Sequence, residues 1–180
     1  MIYILDANEA QETWYVKEKP TIAIRCRSSQ YCIDWFKKLE RSVVEYKPLR
    51  DEGNYADILE LTFDDLGYDK SIVKPRFPGD YERTAAFRNS QLTKQGFSLF
   101  NGLHALEIIK FLKKNEGKFK HIMVNCESGE SRSPAIALTL QERLGGEIWT
   151  SSQFGLSDKN KLVYQRMNTV FDRRWNSFPN

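Results

Sequence analysis

His121-Ile122-Met123-Val124-Asn125-Cys126-Glu127-Ser128-Gly129-Glu130-Ser131-Arg132-Ser133-Pro134 is the stretch that decides how this chain reads. Its first part, Lys120 to Asn125, holds the apolar trio Ile122, Met123 and Val124 and predicts a buried strand. A short polar loop follows. From Ser133 to Leu144 the spacing of Ile136, Leu140 and Leu144 predicts a helix, with Pro134 suited to its first turn and Gly145 and Gly146 to its end. A cysteine therefore stands at a strand end and an arginine at a helix start.

Other elements extend this strand, loop and helix in both directions. Ile2–Leu5 and Thr21–Arg25 read as strands, and Tyr31–Leu39 as a helix with Tyr31, Trp35, Phe36 and Leu39 at helical spacing. Ile58, Leu59, Leu61 and Phe63 form a further strand, stopped by Asp64 and Asp65. Periodicity is lost from Leu66 to Gln95, where Pro75, Pro78 and Gly79 lie among Lys74, Arg76, Arg83 and Arg88. A loop of that length is uncommon unless it covers a site, so residues 66–95 read as an irregular insertion or lid, with a solvated loop as the plain alternative. Helices are predicted again over Ser98–Lys114 and Asp158–Phe171. Alternating strands and helices make an α/β fold, a central mainly parallel sheet flanked by helices.

At 180 residues with 41% hydrophobic and 28% charged residues, the chain has the composition of one globular domain, residues 1–180. It contains no apolar run long enough to span a bilayer and no secretory leader pattern, so a cytoplasmic protein with no membrane partner is expected. A net charge of +3, from 27 basic and 24 acidic residues, is too small and too scattered for a nucleic-acid-binding face. Cys26, Cys32 and Cys126 show no metal-ligand spacing, and His104 and His121 are the two imidazoles, so neither a disulfide framework nor a metal site is expected.

The loop after Cys126 has a chemical reading residue by residue. Successive backbone N–H groups of Glu127, Ser128, Gly129, Glu130 and Ser131 can form an anion nest, assisted by the unpaired N–H groups of the helix start. Gly129 permits the backbone angles and close approach that a nest needs. Arg132 can grip two oxygens of a phosphate with its planar fork. Cys126, at the base of the same positive field, is then a nucleophile aimed at phosphorus. The side chains of Glu127 and Glu130 are expected to point outward, since turned inward they would repel a phosphate dianion.

The pattern C-x-x-G-x-x-R-S between an apolar strand and a helix resembles the cysteine-dependent protein-tyrosine phosphatases, in particular small dual-specificity types of bacteria and phages. The firm likeness covers Lys120–Gly146 and extends to Ile58–Asp65 and Phe97–Lys114. It implies a phosphocysteine intermediate on Cys126, a phosphate clamp in Arg132, assistance to hydrolysis from Ser133, and no cofactor or metal. The expected substrate is a phosphorylated protein, on phosphotyrosine and also phosphoserine or phosphothreonine, with phosphate or another oxyanion in the loop.

The resemblance also requires an aspartic acid ahead of the cysteine loop to protonate the leaving group. Asp65 is the first choice, with Asp64, Asp69 and Asp80 as alternatives. Asn125 departs from the histidine usual before the cysteine; its amide is expected to fix the loop by hydrogen bonding. This departure and the loop glutamates keep a second reading open, a phosphate-binding pseudo-phosphatase. A rhodanese-like sulfur transferase fits the placement of Arg132 and Ser133 less well.

Overall fold

The computed structural model describes residues 1–11, 20–41, 55–66, 90–150, 156–157 and 159–177. Asp69, Asp80, the basic residues Lys74, Arg76, Arg83 and Arg88, and most of the 66–95 segment lie outside the described residues.

Five strands form one sheet: β1 (Ile2–Leu5), β2 (Thr21–Arg27), β3 (Tyr55–Thr62), β4 (His121–Asn125) and β5 (Ile148–Thr150). Their order is β3-β2-β4-β1-β5 and every pairing is parallel. Helices α1 (Gln30–Lys38), α2 (Gly102–Lys114), α3 (Arg132–Leu144) and α4 (Lys161–Arg174) accompany them among the described residues. This is an α/β fold with a parallel sheet and flanking helices. Among the described residues no helix is long and apolar enough to cross a membrane.

Parallel strands are covered on both faces, and β2 and β4 are accordingly buried along almost their whole length. Ile22, Ile24, Ile122 and Val124 join Ile108, Ile109, Leu112, Ala135, Ile136, Leu140, Met167 and Phe171 of the helices in the main core. Each of those large aliphatic side chains contributes about 1.5–3 kcal/mol on burial. The opposite face carries a smaller cluster of Leu5, Ala10, Ala23, Tyr55 and Met123.

Helix boundaries follow from caps. The helix expected from Ser98 begins at Gly102, because Asn101 accepts from Leu103 and His104 N–H groups and His104 Nδ1 accepts in return from Asn101 N–H. The helix expected from Asp158 begins at Lys161, because Asn160 caps it by accepting from Val163 N–H. Strand β5 was not expected from the sequence; it is three residues long and begins one residue after the Gly145-Gly146 pair.

Register aligns the carboxyl ends of the strands. Asn125 lies between Leu5 of β1 and Arg25 of β2, while Arg27 pairs with Thr62. Asp6, Ser28, Phe63 to Asp65 and Cys126 therefore emerge along one edge of the sheet, the edge where open α/β sheets form crevices.

Candidate active site

Strand β4 delivers Cys126 to the carboxyl edge, and α3 begins six residues later at Arg132. Between them the loop lies directly on the end of β1. Gly129 adopts φ +72°, and a Cβ there would sit 3.1 Å from Asp6 N and 3.2 Å from Leu5 C. Neither backbone atom can yield, so only glycine fits. Ala7 N–H ties the loop again by donating to Glu127 O at 3.1 Å. Cys126 is buried, and its Sγ lies 3.1 Å from the buried Ser133 Oγ. The structure thus brings together the two side chains expected as nucleophile and assisting hydroxyl. Ser128 is exposed, and Glu130 and Ser131 are partly exposed.

Arg132 is 1% exposed. Nη1 donates to Phe63 O at 2.9 Å and to Ser28 Oγ at 3.3 Å, and the guanidinium lies 5.9 Å over the Phe63 ring. One end of the fork is therefore anchored to the ends of β2 and β3. Nε has no hydrogen-bond partner among the described residues. Burial works against the charge, but Cys126, Asp65, Glu127 and Cys26 outweigh it and hold the guanidinium more firmly protonated than usual.

The remaining nitrogen of that open edge corrects one expectation. Glu127 does not point outward: its Oε2 pairs with Arg132 Nη2 at 3.0 Å, with 27% of its side chain exposed. The physical reason is Arg132 itself, a buried cation whose free edge attracts the nearest carboxylate. A bidentate oxyanion on Nε and Nη2 must displace it.

Consecutive aspartates after β3 do different things. Asp64 is 1% exposed and accepts from Ser29 N–H at 2.7 Å, Ser29 Oγ at 2.8 Å and Ser98 N–H at 2.7 Å. It ties the cap of α1 to the approach to α2. Asp65 is exposed; its Oδ1 accepts from Ser131 Oγ at 2.7 Å and Asn160 Nδ2 at 2.8 Å. Both hydrogen bonds fall on Oδ1, and Oδ2 has no hydrogen-bond partner among the described residues.

Asn125 does not fix the loop as expected. Its side chain is fully buried, and neither Oδ1 nor Nδ2 has a hydrogen-bond partner among the described residues. Strand alternation explains this, because Asn125 projects to the sheet face opposite Cys126. His104 is structural: beyond its cap it stacks on Phe100 at 5.4 Å, and burial lowers its basicity. Burial is also the largest influence on the other cysteines. It raises the Cys26 thiol well above its ordinary range, reinforced by Cys126, and pushes Cys32 up to about 12, reinforced by Asp64.

Ser28, Ser29 and Asn160 belong to the site's framework and were missed in the sequence. Each had a visible signal, since Ser28-Ser29 follows a strand and Asn160 precedes an amphipathic run, both helix-start patterns.

Comparison with family models and with curated protein sequences gives no match. Among solved structures, the crystal structure of Tk-PTP in the active form is similar at a TM-score of 0.41 and 12% identity, over 96% of this chain and 79% of that one. A likeness of that size decides nothing about activity, which has to be argued from the site.

Proposed function

We propose that this chain is a cysteine-dependent phosphomonoester hydrolase acting on phosphotyrosine, and on phosphoserine or phosphothreonine, in proteins. The observation that carries the reading is the convergence of Cys126 Sγ, Ser133 Oγ, the Nε–Nη2 edge of Arg132 and Asp65 around one loop at the carboxyl edge of the sheet. In the first step Cys126 thiolate attacks phosphorus, the bond to the leaving oxygen breaks, and Asp65 Oδ2 supplies the proton that oxygen needs. In the second, water attacks the phosphocysteine, Asp65 takes its proton, and the P–S bond breaks while Ser133 Oγ hydrogen-bonds the departing sulfur. Arg132 holds the phosphoryl oxygens through both steps.

The test is metal-free hydrolysis of para-nitrophenyl phosphate by wild type and Cys126→Ser. Turnover in the wild type that vanishes in the variant supports the reading, and a fully active Cys126→Ser would overturn it. The Glu127–Arg132 pair favours one other reading, a phosphate-binding protein without efficient turnover. Phosphopeptide binding by an inert wild type would select it.

A further inference from the structure

We propose that Asn160 is the residue that positions Asp65 as proton donor, an inference that rests on the phosphatase reading above. Asn160 is 4% exposed, and its hydrogen bonds reach three places, the first turn of α4, Ser131 and Asp65. Its Oδ1 accepts from Val163 N–H at 3.1 Å and so caps α4, its N–H donates to Ser131 O at 2.9 Å, and its Nδ2 donates to Asp65 Oδ1 at 2.8 Å. The cap fixes which way the amide faces. Because Oδ1 must meet the Val163 N–H, the NH₂ group must meet Asp65.

Ser131 Oγ takes the same oxygen of Asp65 at 2.7 Å. With two donors on Oδ1, a proton on the carboxyl group resides on Oδ2, and the charge formed as that proton leaves falls on an oxygen already hydrogen-bonded. Ser131 is the residue before Arg132, and although it stands at the start of α3 it makes no side-chain cap, its hydroxyl being committed to Asp65. Asn160 therefore joins the acid, the phosphate loop and α4 into one unit. It touches no reacting atom and acts through Asp65.

Asn160→Asp tests this, because aspartate caps a helix as well as asparagine but turns a donor toward Asp65 into an acceptor. Turnover of phenyl phosphate, whose leaving group needs a proton, is compared with that of 2,4-dinitrophenyl phosphate, whose leaving group does not. The ratio of the two should fall about 10–100-fold in Asn160→Asp, the size of loss that misplacing a reacting group produces. The high-pH limb of the profile should weaken with it. Asn160→Ser keeps a capping oxygen while removing the amide donor and should lower the same ratio, which covers a poorly folded aspartate variant. Adding Asp65→Asn should cost little more, as expected of residues acting as a unit. Equal losses on both substrates in both variants would overturn the proposal while leaving the phosphatase reading intact. Wild-type turnover insensitive to Cys126→Ser would overturn both.

Discussion

Replacing Asp64 and Asp65 separately by asparagine should damage two different properties. At Asp64 the carboxylate meets three donors, two of them rigid backbone N–H groups on opposite oxygens, those of Ser29 and Ser98. An asparagine there must turn its NH₂ toward one of them whichever way it is flipped, so at least one buried donor is orphaned. Hydrogen bonds to charged groups are worth about 1.5–3 kcal/mol each, and losing one or two of them gives a cost of about 1.5–6 kcal/mol. For a chain of this size, at roughly 2–4 °C per kcal/mol, the midpoint should fall by about 10 °C. Asp65→Asn should leave the midpoint within a degree or two, since an exposed amide oxygen still accepts from Ser131 and Asn160. Its turnover of phenyl phosphate should drop about 10²–10⁴-fold. Calorimetry and steady-state kinetics on both variants decide the matter. A stable Asp64→Asn that has lost turnover, beside an active Asp65→Asn, would refute the assignment. Full turnover in both would move the acid to Asp69 or Asp80.

Two further outcomes follow from the geometry. Glu127→Gln removes the carboxylate that competes for Arg132 Nη2, and because that pair is partly open to solvent the gain is about 1 kcal/mol, or roughly fivefold tighter vanadate inhibition. Weaker inhibition would instead make Glu127 a support for the clamp. Iodoacetate at about pH 7 should label Cys126 alone, a single adduct in the intact mass that Cys126→Ser lacks. Burial raises both other thiols, Cys32 to about 12, so below that range they stay protonated and unreactive; early labelling of Cys26 or Cys32 would contradict this.

Local order was legible where periodicity or a cap announced it. The β4-loop-α3 unit could be read because an apolar strand, a glycine and an early helical proline agree within fourteen consecutive residues, 121–134. Strand β5 was too short to show a period and is recognisable only by its pairing with β1. Asp64 and Asp65 could not be told apart, since β3 ends at Thr62 and alternation no longer predicts which side chain turns inward. Asn160 shows the reverse problem. Its cap is a local pattern, but its partner Asp65 lies 95 residues away, and only the folded chain brings them together.

Because the strands all run the same way, the molecule has a working rim and a plain rim. Loops leaving the carboxyl ends carry the proposed catalytic residues, whereas the turn entering β4 is separated from Cys126 by the length of that strand, roughly 16 Å at about 3.3 Å per residue. Within that turn Glu116 and Gly117 are exposed, and a side chain added at Gly117 meets nothing within 4 Å. An affinity tag or fluorescent reporter spliced between them would be carried by the scaffold far from the chemistry. Immobilised through this turn, the protein would present its working rim outward to a macromolecular substrate.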